Sequence, residues 1–205
     1  MTKESKKTKI LAVGDIHGDT GLVKKLAAKA KKENVDLIIM AGDLTFFGEE
    51  TKNIIKPFEK IKKPVLVVHG NHEPNETVEI LTQIYSNARN LSGGYYLRDN
   101  VGIFGAGGGD VVQTTPDKEI FELLEKGHGK IKTSKKKIMV THMHPYNSEA
   151  EFSGWPGSKA VSKAVKKFHP NVLISAHIHE AGGIEEKIGK TKVINVSRQA
   201  KIFEI

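Results

Sequence analysis

The chain has 205 residues, 38% hydrophobic and 6% aromatic, which suits one domain around a mainly aliphatic core. It has no cysteine, which excludes thiolate metal sites, thiol nucleophiles and disulfides. No apolar stretch approaches the roughly 18 residues of a membrane span, and the formal net charge is +8. That charge is almost wholly lysine, because Arg89, Arg98 and Arg198 are the only arginines. A positive field favours anionic partners, and it leaves nucleic acid open as a partner. The scarcity of arginine weakens base reading, however, since bidentate arginine contacts dominate that chemistry. Lysines solvated on helix faces are the plainer reading.

Residues 1–9 are polar and lack the apolar centre of a signal peptide, so they read as a flexible tail ahead of a single domain, residues 10–205. The expected compartment is the cytoplasm, with no membrane partner. Beyond the tail, strand-like and helix-like segments alternate. Ile10-Leu11-Ala12-Val13 is a buried strand running into Gly14-Asp15-Ile16-His17. Leu22, Val23, Leu26, Ala27 and Ala30 then recur at helical spacing. Leu37-Ile38-Ile39-Met40-Ala41 runs into Gly42-Asp43, and residues 51–62 read as a second helix with Ile54, Ile55, Phe58 and Ile61 on one face. Val65-Leu66-Val67-Val68 passes through His69 into Gly70-Asn71-His72-Glu73, and a third helix is expected over residues 75–87.

The texture then changes. Tyr95-Tyr96-Leu97 and Val101-Gly102-Ile103-Phe104 flank Asp99-Asn100 as a hairpin. Residues 105–109 are rich in glycine but lack the Gly-Lys-Ser/Thr ending of a nucleotide-binding loop, so a tight backbone turn is expected. Residues 116–126 look helical, Ile138-Met139-Val140-Thr141 meets His142-Met143-His144, and residues 158–168 form a helix that stops before Pro170. Val172-Leu173-Ile174-Ser175-Ala176 meets His177-Ile178-His179, and residues 183–188, 192–196 and 201–205 read as a β-meander. The whole pattern is that of an α/β (or α+β) layered domain.

Five of these apolar runs end in Asp, Asn or His, and the carboxyl ends of strands are where ligands bind in open α/β sheets. Hard oxygen donors combined with imidazole suit divalent metals. Asp15 and His17 sit two apart, so in extended chain they share a face, and His177 and His179 repeat the spacing. Asp43, at a separate strand end, can bridge; Asn71 offers a carbonyl oxygen and His142 completes the set. Two cations about 3.5–4 Å apart can polarise a phosphoryl group and generate hydroxide near neutral pH.

Asp15-x-His17, Gly42-Asp43, Gly70-Asn71-His72-Glu73, His142 and His177-x-His179 stand in the order of the calcineurin-like metallophosphoesterase family, which the chain resembles from Ile10 to about Ile194. The resemblance implies a four-layer α/β/β/α sandwich with two mixed central sheets. It implies that Asp15, His17 and His179 hold one metal, that Asn71, His142 and His177 hold another, and that Asp43 bridges them. His72 matches the family's non-ligand histidine, which acts on the leaving-group oxygen. The cofactors implied are two divalent ions, with manganese the leading choice and iron, zinc or nickel as alternatives.

The chain departs from the pattern in three places. Ala176 stands where the family has glycine, Phe46 and Phe47 replace the Asp-Arg pair of phosphoprotein phosphatases, and Asn195-Val196-Ser197 replaces Asn-Pro-Gly. The lost phosphate clamp points to the small prokaryotic and archaeal phosphodiesterase branch. Phe46, Phe47, His144, Trp155 and Ser158 are candidates for the substrate wall, Ser158 by aiming a helix amino end at phosphate. The competing roles are core packing for the aromatics and an ordinary helix cap for Ser158. The function expected is hydrolysis of small phosphodiesters or cyclic nucleotides by metal-bound hydroxide. Alternatives are a phosphomonoesterase, a nuclease, or a non-catalytic metal-binding scaffold of the same fold, which the retained His72 speaks against. Self-association is compatible with all of these.

Overall fold

The computed structural model describes residues 7–49 and 51–205. Strand β1 (Lys9–Val13) leads into helix α1 (Thr20–Lys32), whose amino end is capped by Asp19 accepting from the Leu22 amide at 2.8 Å. Strand β2 (Leu37–Ala41), helix α2 (Lys56–Lys60), strand β3 (Val65–Val68), helix α3 (Asn75–Ile84) and strand β4 (Ala88–Asn90) complete the first half. The second half runs β5 (Tyr95–Arg98), β6 (Val101–Ala106), α4 (Asp117–Gly129), β7 (Lys136–Thr141), α5 (Lys159–Phe168), β8 (Val172–Ser175), β9 (Glu185–Ile188), β10 (Thr191–Asn195) and β11 (Lys201–Glu204).

These strands form two mixed sheets, ordered β11-β1-β2-β3-β4 and β5-β6-β7-β8-β10-β9. In each, the inner strands are parallel; an antiparallel strand closes one edge of the first sheet, β11, and both edges of the second, β5 and β9. The alternation of side chains along each strand builds the layers. Ile10, Ala12, Leu37, Ile39, Leu66 and Val68 point from the first sheet into a seam shared with Ile103, Ile138, Val140, Ile174 and Ile194 of the second. The opposite faces carry helices: Leu11, Val13, Ile38 and Met40 pack with Val23, Leu26 and Phe58, while Phe104, Met139 and Leu173 pack with Leu124, Val161 and Val165. Strands buried on both faces read as continuous apolar runs, which is why these five were visible in the sequence. The result is a four-layer α/β/β/α sandwich.

Three expectations need correction. The helix expected over residues 51–62 is only Lys56–Lys60, because Pro57 has no N–H to bond a carbonyl a turn earlier and therefore sits in the first turn. Ile54 and Ile55 are still fully buried, on the turn before it. The third helix ends at Ile84, where Tyr85 turns extended and the chain enters β4, an Ala-Arg-Asn strand with no apolar run to announce it. The last three strands are not a meander. β9 and β10 form a hairpin, but β11 crosses to the other sheet and pairs antiparallel with β1.

The polar start is also shorter than nine residues of tail: Thr8 is buried and exchanges backbone bonds with Ile205 at 3.1 Å each, and Lys9 opens β1. Residues 1–6 lie outside the described part. Among the described residues no helix is long and apolar enough to cross a membrane.

Ile39 is fully buried in the seam between the sheets, whereas Ile80 of α3 is exposed. Ile39→Ala is expected to cost about 2–5 kcal/mol in urea unfolding of the metal-free protein, and Ile80→Ala to stay within about 0.5 kcal/mol. Equal midpoints for the two variants would contradict this layering.

Candidate metal centre

The five motifs converge where β1, β2, β3, β7 and β8 end. The chain does not stay extended there, so the expected shared faces of Asp15 with His17 and of His177 with His179 do not hold. Asp15 (φ 53°), His17 (φ 46°), Asp43 (φ 51°) and His177 (φ 76°) all lie in the left-handed region, and His179 begins a short 3-10 helix. Asp, Asn and His tolerate that region better than most residues. The turns are stitched together: the amides of Asp15, His17 and Gly18 donate to the carbonyls of Gly42, Asp43 and Leu44 at 3.0, 2.9 and 2.8 Å.

On one side, His17 Nε2 and His179 Nε2 face each other at 3.1 Å, with Asp15 Oδ1 4.0 Å and 3.7 Å away respectively. On the other, Asn71 Oδ1 lies 3.0 Å from both His142 Nε2 and His177 Nδ1, and these nitrogens are 3.3 Å apart. Asp43 Oδ2 stands between, 3.8 Å from His17 Nε2 and 3.5 Å from His142 Nε2. His72 Nε2 is also 3.8 Å from that oxygen, and its backbone amide donates to Asp43 Oδ1 at 2.9 Å. All seven expected ligands and His72 therefore meet at one place.

The donor set fits cations on its own chemistry. His142 Nδ1 donates to the Ala41 carbonyl at 2.8 Å, so in the neutral ring Nε2 presents a lone pair to the Asn71 oxygen. Asp15 Oδ1 is buried with no hydrogen-bond partner. Burial pushes the Asp15 carboxyl up, but the His179 imidazole 3.7 Å away, the charge of His142 and the bond from Ser197 prevail and hold it at about 2. Burial likewise works against a proton on His142, yet Asp43 and Asp15 raise its pKa above the ordinary value. The Asp15 carboxylate, 3.7 Å away, raises that of His179. His17 moves down, chiefly because it is desolvated. Two inward carboxylates thus draw positive charge into the cluster. Clusters of Asp15, His17 and His179, of Asp15, Asp43 and His142, and of His17, Asp43 and His72 each bring their donor atoms within 4.8 Å.

Residues 8–181 match the calcineurin-like phosphoesterase family. The chain belongs to that family. No curated protein matches it. Its fold is similar to the crystal structure of TT1561 of Thermus thermophilus, with 17% identity, a TM-score of 0.77, and coverage of 94% of this chain and 90% of that one. It is also similar to a novel archaeal phosphodiesterase (18% identity, 97% and 99% coverage, TM-score 0.58). A third likeness is to phosphopantetheinyl hydrolase of Mycobacterium tuberculosis (13% identity, 93% and 89% coverage, TM-score 0.63). A calcineurin-like phosphoesterase is a metal-dependent hydrolase of phosphoric esters, and this chain has His/Asp clusters that could hold a metal ion.

The remaining candidates fall into two groups. Phe46 and Phe47 are half-exposed (51% and 53%) and set their rings 5.5 and 4.9 Å from that of His72. Trp155, 52% exposed, lines a cavity of about 240 Å³ with Asp43, Asn71, His72, Val111 and His177. His144 and Ser158 do not line that cavity. His144 is buried behind His177, with ring centres 6.2 Å apart and Nε2 3.3 Å from the Trp155 carbonyl. Ser158 is a buried N-cap: its hydroxyl oxygen accepts from Val161 N and the hydroxyl donates to Asp117 at 2.5 Å, so it is committed within the scaffold.

Sequence reading assigned no role to three residues that matter here. The buried Glu73 carboxylate accepts from the amides of Leu44, Thr45 and Gly70 at 3.2, 3.0 and 3.0 Å and from the Thr45 hydroxyl at 3.2 Å, tying the turns after β2 and β3. Its place beside Asn71 and His72 in one motif was the available signal. Ser197 bonds to Asp15 Oδ2, which also accepts the His177 amide at 3.1 Å. Asp110 places Oδ1 3.0 Å from His177 Nε2. Ser197 stands in the Asn195-Val196-Ser197 departure and Asp110 directly after the glycine-rich run, but neither pattern signalled a contact with Asp15 or His177.

The alanine at 176 is accommodated by Gly14, where any Cβ would overlap that of Ala176. Gly70 is more demanding, since a Cβ there would overlap both the carboxylate and the amide of Asp43. Gly70→Ala is expected to lower stability by about 1–3 kcal/mol and to reduce the content of added divalent metal below that of wild type, read by thermal unfolding and elemental analysis. Wild-type metal content in that variant would show that Asp43 is not held where the structure places it.

Proposed function

We propose that this calcineurin-like phosphoesterase is a phosphodiesterase for small diesters or cyclic nucleotides, working through a dinuclear centre with manganese as its leading metal. Asp15, His17 and His179 would hold one cation, Asn71, His142 and His177 the other, and Asp43 both. When bound, such a pair polarises the phosphoryl oxygens and supplies hydroxide near neutral pH.

The observation that carries the diester reading is the cavity lining. It includes Glu180 beside Asp43 and the imidazoles, and no lysine or arginine. A monoester dianion would meet no cationic side chain there, and bidentate arginine is the usual phosphate clamp. A diester carries one charge fewer and adds an organic group, for which Trp155 and Val111 offer apolar wall. The likeness to an archaeal phosphodiesterase agrees with this reading.

His72 is placed to hand a proton to the departing oxygen. It borders the cavity, and its Nε2 is close enough to Asp43 to be kept oriented. Phe46 and Phe47 pack on its ring, restrict its motion and shield it from bulk water. Because Asp43 Oδ2 is equally distant from His72 and His17, geometry alone would also allow His72 as a ligand. The resemblance assigns it the proton.

With manganese added, kcat/KM for bis-p-nitrophenyl phosphate should exceed that for p-nitrophenyl phosphate by about tenfold or more; the reverse order would make the protein a phosphomonoesterase, and no turnover of either would favour a scaffold. His72→Ala should keep wild-type metal content while losing about 10²–10⁴-fold in kcat on the diester. Loss of a metal ion in that variant would move His72 into the ligand set. Asp43→Asn should lower occupancy at both positions by elemental analysis, and unchanged content would remove its bridging role.

A further inference from the structure

The glycine-rich stretch at 105–109 is not consumed by the reaction proposed above. Gly105 and Ala106 finish β6, and the backbone that follows lies directly on the end of β3. The Gly108 amide donates to the His69 carbonyl at 3.1 Å, and a Cβ on Gly109 would overlap that of Asn71. The Thr115 amide closes the loop onto the Gly109 carbonyl at 2.8 Å. The approach needs glycine because the loop backbone occupies the space of a side chain beside Asn71. Its consequence is to deliver the next residue, Asp110, to His177.

His177 has two ring nitrogens with different surroundings. Nδ1 faces Asn71 Oδ1 at 3.0 Å and His142 Nε2 at 3.3 Å, inside the cluster. Nε2 faces away from it, 3.0 Å from Asp110 Oδ1, an ion-pair contact in which that buried oxygen does not yet make an aligned hydrogen bond. A neutral imidazole carries one proton, so the partner of one nitrogen decides which lone pair is free. His142 is fixed in the same way from the opposite nitrogen, with Nδ1–H on the Ala41 carbonyl and Nε2 turned inward. On the other side of the cluster, His17 Nδ1 is buried and has no hydrogen-bond partner. An oxygen within about 3 Å of the outward nitrogen is therefore found at His142 and His177 and not at His17.

We propose that Asp110 is a positioning residue that holds His177 as the Nε2–H tautomer and strengthens cation binding at the Asn71, His142 and His177 position. This rests on His177 being a metal donor. A carboxylate behind a ligating imidazole fixes its orientation and raises its basicity, and loss of such a partner commonly weakens metal affinity about 10–100-fold.

The first test is long-range 1H–15N NMR of the metal-free protein near about pH 8.5, two units above the ordinary histidine pKa. In wild type His177 should carry its proton on Nε2. Asp110→Ala should show a mixture of tautomers, and Asp110→Asn, whose side-chain carbonyl still accepts, should restore Nε2–H. A purely structural role for the loop would not move that signal. Manganese titration by calorimetry is the second readout: Asp110→Ala should weaken one of two cations about 10–100-fold and leave the other unchanged, with Asp110→Asn between it and wild type.

An Nδ1–H tautomer in wild type, or wild-type affinity for both cations in Asp110→Ala, overturns the proposal. Should Asp110→Ala fail to fold, Asp110→Asn decides: wild-type affinity together with Nδ1–H defeats it, and Nε2–H with a several-fold weaker cation supports it. Failure of wild type to take two cations would instead defeat the dinuclear assignment.

Discussion

Two buried carboxylates, Asp15 and Asp43, organise this molecule's functional end. Carboxylates out of water need compensating donors, and here these are the amides of His72 and His177 and the Ser197 hydroxyl, with the imidazoles of His17, His72, His142 and His179 facing the carboxylates at 3.5–4.0 Å. Asp43 and Asp15 raise the proton affinity of His142, and Asp15 that of His179, which marks the inside of the cluster as a place that favours positive charge. Divalent cations answer that demand without a proton inventory. The side-chain geometry is therefore best understood as a cage whose contents are positive charge.

Such a cage costs the fold something. Asp15, His17, Asp43 and His177 are all held at positive φ, a region that disfavours non-glycine residues by roughly 1–2 kcal/mol each. The surroundings over-determine them. Backbone bonds join the turn after β1 to the turn after β2, Glu73 gathers three amides from the turns after β2 and β3, and Ser197 reaches Asp15 from the segment passing between the sheets. That segment explains why β11 is not part of a meander. Gly14 bonds to Val196 and Arg198 across the two sheets, so the last strand is carried over to β1 and the two ligand-bearing halves are tied at the site itself.

Most of this was legible in the residues alone because the seam strands are buried on both faces. Ile10, Leu37, Leu66, Ile138 and Val172 each begin or sit within an apolar run, and each run stops where polar ligands begin. What escaped reading was governed by something other than hydrophobic pattern. Pro57 shortened α2 through a missing amide hydrogen, and Ala88–Asn90 became a strand through pairing with β3 alone. The left-handed turns were hidden because Asp and His occur in many conformations. Asp110 reaches His177 through a contact 67 positions away in the chain, which no local spacing encodes.

The lysine excess belongs to a different part of the structure from the chemistry. None of the residues lining the metal-centre cavity is a lysine. On α5, Lys163 lies over the Phe121 ring at 4.3 Å, and Lys167 pairs with Glu125 at 2.6 Å. Lys192 and Lys201 share Glu185 at 2.6 and 2.5 Å. These are surface partnerships of small individual energy. They can still bias the long-range field toward anions, an effect that salt screens beyond about 10 Å. Under the proposed function, recognition inside the cavity would come from the caged charge and from the Val111 and Trp155 wall, with Phe46 and Phe47 packed beside His72. That proposal takes a monoanionic phosphorus centre bearing an apolar or aromatic ester group as the substrate, because among the described residues the cavity lining holds no lysine or arginine to meet a highly charged polymer.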